Sequence, residues 1–315
     1  MTQPSVSVIG GGVIGRTCAL ELARAGHRVT LLTKDPVETT TSSKAAAVWF
    51  PFQAFPIDRV NAWSARTFHR LAALTEAWET TGVRMTAGTS VIRSSEADLG
   101  WLDAVPGAWV DESADARPAG ALAVARATVP AIDMSRYLPW LARAGADAGV
   151  MERAATVSSV DEAEAFGDLV VVATGLETNA LVSDAECYPI QGQIVRVAHP
   201  GGTVEWMEDT DRSDGHLVYV IPRIDEVVIG GTEVVGAWST EIDMELEAAM
   251  IARAAEIMPW IADAPITSRA VGLRPGRASV RLERIGDAIH CYGHGGSGVT
   301  VSYGCAEEVV ALAAL

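Results

Sequence analysis

The period of the apolar positions changes several times along this chain, and each change marks an element. Residues 5–9 form a short, mostly apolar run, as in a strand covered on both faces. Over 13–25 the positions Ile14, Cys18, Leu22 and Ala25 recur at helical spacing, Gly26 stops the helix, and 28–33 returns to strand. Trp63, Thr67, Leu71, Leu74 and Trp78 predict one long helix over 58–78 with its tryptophans in the core. A mixed stretch follows, with 83–93 as its clearest strand, and Asp133 then reads as the cap of a helix running to Ala148. Strand-like runs at 150–157 and 169–173 precede Thr174-Gly175, and the Val-Val-Val of the second suggests a return to a parallel sheet. Short alternating runs at 194–197, 203–207, 217–221 and 227–230 predict an antiparallel sheet, and a helix is expected over 241–257.

Two glycine-rich turns stand where a strand meets a helix. The first, Gly10-x-Gly12-x-x-Gly15, has a strand before it, a helix after it and a second strand on schedule. In such a βαβ unit the first glycine makes the turn, the second admits a pyrophosphate and the third lets helix pack on strand. The second lies in Ile289-His290-Cys291-Tyr292-Gly293-His294-Gly295-Gly296-Ser297-Gly298-Val299-Thr300, ahead of an alanine- and valine-rich helix. A helix start carries unpartnered N–H groups that attract anions. Two such sites at opposite ends of the chain predict one long ligand held between them. The residue expected to meet the adenosine ribose is Lys34 by strand phase, with Asp35 next; Lys34 also suits a 2′-phosphate, which leaves NADP open at this position. The run Thr39-Thr40-Thr41-Ser42-Ser43 is a polar loop suited to donate hydrogen bonds to phosphate oxygens.

A chain of 315 residues that is 49% apolar can bury a large core and suggests two domains, or one Rossmann-like unit with a second inserted. The net charge of −16 argues against nucleic acid or an anionic membrane as partner. No apolar run reaches the roughly 18 residues of a membrane span. No basic-then-apolar leader precedes Val6, and Ala313-Ala314-Leu315 is not the peroxisomal tripeptide. Cys18, Cys187, Cys291 and Cys305 form no CxxC, so neither a metal site nor a disulfide framework is signalled. Together these features predict a cytoplasmic protein.

The closing stretch, with Gly304-Cys305-Ala306 after it, resembles the signature of the D-amino-acid oxidase family of flavoenzymes. Tyr219-Val220-Ile221-Pro222 with Gly230-Gly231, Gly272-Leu273-Arg274-Pro275, Ala45-Ala46-Ala47-Val48-Trp49-Phe50-Pro51 and the opening glycines extend the likeness over the whole chain in the expected order. The resemblance implies an α/β fold: a Rossmann-like FAD-binding domain (1–50, 150–182 and 272–315) interleaved with an α+β substrate domain (51–149 and 183–271) built on a mainly antiparallel sheet. It implies noncovalent FAD, with Gly10, Gly11, Val13 and Ile14 at the pyrophosphate and Lys34 and Asp35 near the ribose. Thr40, Thr41, Ser42, Ala46, Ala47 and Val48 would line the phosphates and flavin, with the Val157 backbone at adenine and Thr174 on the pyrophosphate side. Gly295, Gly296, Ser297, Gly298, Val299 and Thr300 would face the flavin, where a helix start stabilises the negative charge of the reduced ring.

For the substrate, the resemblance places the carboxylate on Arg274, whose guanidinium can make two parallel hydrogen bonds. Tyr219 would add a hydroxyl, and the Gly296 carbonyl would accept from the amino group. A D-amino acid would pass hydride from Cα to the flavin, the imino acid would hydrolyse to a 2-oxo acid and ammonia, and dioxygen would yield hydrogen peroxide. His290 and His294 are assigned to structure, as are Arg277 and Arg281. Two departures stand out. The turn 211–217 is short and lacks a further tyrosine, and Glu233 occupies a position where relatives carry tyrosine; if it lines the pocket, it should repel acidic side chains and attract basic ones. The competing readings are a glycine- or sarcosine-type amine oxidase of the same fold and a non-catalytic FAD-binding protein, with a homodimer as the candidate assembly.

Overall fold

The computed structural model describes residues 3–210 and 217–315, so most of the 211–217 turn lies outside the described residues. Two sheets organise the chain. The first runs in the order Arg281–Ile285, Ala288–Tyr292, Leu169–Val172, Val6–Ile9, Val29–Thr33, Met151–Ala154, and every pairing is parallel except that of the outermost hairpin. Val6–Ile9, Val29–Thr33 and Leu169–Val172 are buried at every position, as helices on both faces require. The opening βαβ unit forms as predicted, with a helix at Val13–Arg24. That helix is buried from Val13 to Leu22, not along one stripe, because the helices Gly298–Ala313 and Met134–Asp147 also pack against it. Arg16 is inside too, joined to Glu152 through two hydrogen bonds of 3.0 and 2.7 Å and to the Gly11 carbonyl at 2.8 Å.

Among the described residues the second sheet has nine strands. Its order is Val234–Val235, Tyr188–Ala198, Glu226–Gly230, Val218–Pro222, Trp206–Asp209, Val83–Ile92, Ala123–Ile132, Trp109–Asp111, with Ile266–Gly276 also paired to Tyr188–Ala198. All pairs are antiparallel except Val83–Ile92 with Trp206–Asp209. Ala123–Ile132 and Ile266–Gly276 are not legible as strands, since alanine, arginine, glycine and proline have low strand preference and the first is buried almost throughout.

The long helix expected over 58–78 stops sooner. Ile57–Leu74 ends where the Thr75 and Thr81 hydroxyls take the Ala72 and Leu74 carbonyls, and a single further turn, Trp78–Thr81, closes on Gly82 at φ 70°. Trp63 is buried as expected, whereas Trp78 is partly exposed beneath Arg84. Among the described residues no helix is long and apolar enough to cross a membrane.

Candidate active site

A cavity of about 1030 Å³ opens between the two sheets. Gly10 sits at φ +123°, and a Cβ there would run into the Ala173 carbonyl, so the first turn is pressed against the neighbouring strand. Two helices start at the cavity, Val13–Arg24 and Gly298–Ala313, and neither is capped by the side chain before it. A Cβ on Gly298 would find only Val13 Cγ1, at 4.0 Å, so both starts face the same space. A dinucleotide fits this arrangement: two positive helix ends and an elongated, half-apolar wall meet its anionic and aromatic parts.

Of the residues singled out from sequence, Gly10, Gly11, Val13, Ile14, Lys34, Asp35, Thr40, Thr41, Ser42, Ala46, Ala47, Val48, Val157, Thr174, Tyr219, Arg274, Gly295, Gly296, Gly298, Val299 and Thr300 all line the cavity. Ser297 does not. Its buried hydroxyl accepts from the Phe52 N–H at 2.7 Å and donates to the Phe52 carbonyl at 2.8 Å, and Thr300 makes the same reciprocal pair with Phe50. The last helix thus pins the 45–53 loop, whose Ala45 and Ala46 carbonyls accept from the buried Arg223 on the other side. Burial, with Arg196 nearby, pulls that guanidinium down to about 10.

The loop hydroxyls are committed locally. Thr40 donates to the Val37 carbonyl at 2.6 Å, Thr41 to Leu273 at 3.2 Å, and Ser42 Oγ accepts from the Val13 N–H at 2.9 Å. They shape the wall and hold the first helix start more than they offer free donors. Lys34 pairs with Glu177 at 2.8 Å, with both side chains about half exposed.

At the other end of the cavity, two side chains lie flat over glycines of neighbouring strands. A Cβ at Gly192 would stand 2.6 Å from Arg274 Cζ, and one at Gly230, directly opposite Tyr219 in the ladder, would displace the hydroxyl end of the tyrosine ring. Arg274 donates to the Thr232 carbonyl at 3.3 Å and, among the described residues, has no carboxylate partner. Arg277 and Arg281 differ, both reaching Asp184 Oδ2, at 3.2 and 3.3 Å, beside the Tyr292 hydroxyl at 2.8 Å. The Gly295 N–H donates to the Pro275 carbonyl at 2.8 Å, which ties the terminal glycine turn to the strand carrying Arg274.

Glu233 is not part of the wall; it accepts a hydrogen bond from Gln53. The acid that sequence reasoning missed is Glu208. It lines the cavity, is buried, and stands opposite Tyr219 in the ladder, with Ser90 and Thr210 hydroxyls donating to its two oxygens. Burial pushes its carboxyl up to about 7.

His294 also touches the cavity, but burial lowers it to about 4, and it rests 3.8 Å from Cys291 Sγ. Cys291, His294 and Cys305 bring their ligand atoms within 4.8 Å of one another, a proximity their sequence spacing hides. Burial holds both thiols above their ordinary range, so the group packs as neutral core.

The chain is 41% identical over 316 residues to a D-amino-acid oxidase of Streptomyces coelicolor, an alignment covering 98% of this chain and 96% of that protein. It is 39% identical over 312 residues to a D-amino-acid oxidase of Rubrobacter xylanophilus, covering 97% and 94%. Its fold matches the glycine oxidase of Geobacillus kaustophilus with a TM-score of 0.79 over 100% of this chain and 95% of that one, at 19% identity, a likeness of fold alone. Residues 5–312 match the family described as FAD dependent oxidoreductase, and with helix starts, glycine turns and cavity arranged to receive that cofactor, this chain belongs to that family.

Proposed function

We propose that the protein is a D-amino-acid oxidase, converting a D-amino acid, water and dioxygen to a 2-oxo acid, ammonia and hydrogen peroxide. The observation that carries this reading is Arg274: a guanidinium in the cavity wall with no carboxylate of its own among the described residues, when its neighbours Arg277 and Arg281 both have one. Whole-chain identity to two D-amino-acid oxidases supports the same reading.

Arg274 pairs with the substrate carboxylate, the Tyr219 hydroxyl adds a donor, and the Gly296 carbonyl accepts from the amine. The Gly295–Pro275 hydrogen bond fixes the amine site relative to the carboxylate site; with two substituents of Cα held, the demand that the Cα–H bond point at the hydride acceptor favours one hand of amino acid. FAD, when bound, takes the hydrogen and electron pair of the Cα–H bond and passes the pair to dioxygen. Gly10, Gly11 and the two helix starts hold the cofactor's anionic parts, while Lys34, Asp35 and Val157 lie along its adenosine half. FAD is held noncovalently: Cys305 is buried in the last helix and is absent from the wall. The cofactor half comprises 1–50, 150–182 and 272–315, which contain all six strands of the parallel-rich sheet; Ile266–Gly276 runs across its last boundary. Four free cysteines fit a reducing cytoplasm.

The test is colour. Purified protein should be yellow and should bleach anaerobically with D-methionine or D-alanine and not with the L-isomers. Bleaching by glycine or sarcosine alone would make it an amine oxidase of that type, and a protein unable to take up FAD would make it a non-catalytic relative.

A further inference from the structure

Among the described residues, six charged side chains line the cavity: Lys34, Asp35, Lys44, Glu177, Glu208 and Arg274. Lys34 and Glu177 neutralise each other, and Arg274 is committed to the carboxylate. Asp35, Lys44 and Glu208 remain; Asp35 is exposed and Lys44 half-buried, whereas Glu208 is 4% exposed. Its position follows from strand register. Ser90, Glu208, Tyr219, Gly230 and Ile194 oppose one another across five adjacent strands, so all five project from one face. Tyr219 leans over Gly230, away from Glu208, and Glu208 lines the cavity wall beside it. Ser90 and Thr210 donate one hydroxyl to each oxygen and so fix the group without neutralising it. Among the described residues no cation pairs with it.

We propose that Glu208 is the specificity-determining residue for the substrate side chain, and that it selects D-amino acids bearing a cation there, such as D-lysine, D-ornithine or D-arginine. This rests on the oxidase reading above. A buried carboxylate held only by neutral hydroxyls among the described residues is costly in a largely apolar wall, and a positive charge brought in by the ligand offsets that cost. Anchored by its carboxylate at Arg274 and its amine at Gly296, a substrate extends its side chain along the wall that Tyr219 and Glu208 share. Among the described residues, the groups facing Glu208 are Ser90 from strand Val83–Ile92, Thr210, and Tyr219 from strand Val218–Pro222. Asp209, next in the strand, points to the opposite face and is held by Arg93 at 2.7 Å. Burial pushes the carboxyl up to about 7, and among the described residues no cation pairs with it to oppose this. Deprotonation above that pH creates the charge that recognises the ammonium, which itself stays protonated to about pH 10.

The holoenzyme is assayed by peroxide release with D-lysine and with D-norleucine, which has the same carbon chain without the ammonium, from pH 5.5 to 9. The ratio of kcat/KM for D-lysine over D-norleucine should rise about tenfold through neutrality, the scale of one close charge pair in a partly desolvated site. Glu208→Gln should lower that ratio about tenfold at pH 8 and abolish its rise with pH. A ratio flat with pH in the wild type, or unmoved by Glu208→Gln, overturns the assignment. Should Glu208→Gln lose its flavin, the wild-type pH dependence decides alone. Turnover of D-norleucine with a flat ratio sinks only the role of Glu208; failure of every D-amino acid to bleach the flavin sinks the oxidase reading and this inference with it.

Discussion

The two ends of the cavity recognise their ligands by different means. At the end proposed for the cofactor the wall is mostly backbone: a left-handed glycine at position 10, two helix starts left uncapped by the residue before them, and hydroxyls that mostly hold the loop in shape. At the end proposed for the substrate the wall carries the side chains of Arg274, Tyr219 and Glu208 on a mainly antiparallel sheet, the first two given room by glycines on adjacent strands. Backbone donors suit a large ligand whose phosphates and ring must be met at many points at once, and they tolerate few substitutions. Side chains on a rigid sheet suit a small ligand, and each can be changed singly.

If that contrast holds, substitutions at one end leave the other intact. Arg274→Ala should have the largest effect, a fall in kcat/KM on the order of a hundredfold or more, most of it in KM, with flavin content unchanged. Co-loss of flavin would show that the two ends are not separable. Gly10→Ala should do the reverse. Its Cβ must enter the Ala173 carbonyl from a left-handed backbone, costing about 1–3 kcal/mol, and the readouts are a lowered Tm and protein purified with less FAD.

Gly192→Ala sharpens the comparison, because the new methyl displaces the Arg274 guanidinium without removing it. About a tenfold rise in KM with full flavin is expected, from a misplaced ion pair. An unchanged KM would mean that the guanidinium finds its carboxylate from another pose. Tyr219→Phe should be mildest, roughly three- to tenfold in kcat/KM, the scale of one hydrogen bond.

How much of this was legible differs between the two ends for the same reason. The opening βαβ unit could be read because its apolar period, its glycines and its strand spacing all lie within thirty consecutive residues. Arg274 stood out through the resemblance of Gly-Leu-Arg-Pro, although its strand did not. Glu208 was hidden because Met-Glu-Asp-Thr-Asp reads as a polar turn at the end of a strand expected over 203–207; only the register with Tyr219 turns its side chain into the wall. Glu233 shows the converse. Three residues beyond Gly230, it sits past the strand end and bonds to Gln53 instead. Ser297 fell inside a glycine-rich signature whose neighbours do line the cavity, and a side chain turned the other way by the helix start cannot be seen from spacing.

The meeting of Val13 and Gly298 also bears on the order in which the protein can be made. One helix start precedes the other by some 285 residues, so the two leave the ribosome well apart in time. Until Gly298–Ala313 docks against Val13–Arg24, the nascent chain has half a cradle, and the 45–53 loop lacks the Ser297 and Thr300 hydroxyls that pin it. Flavin capture should therefore wait for the last helix, and chains truncated short of Gly298 are expected to be colourless.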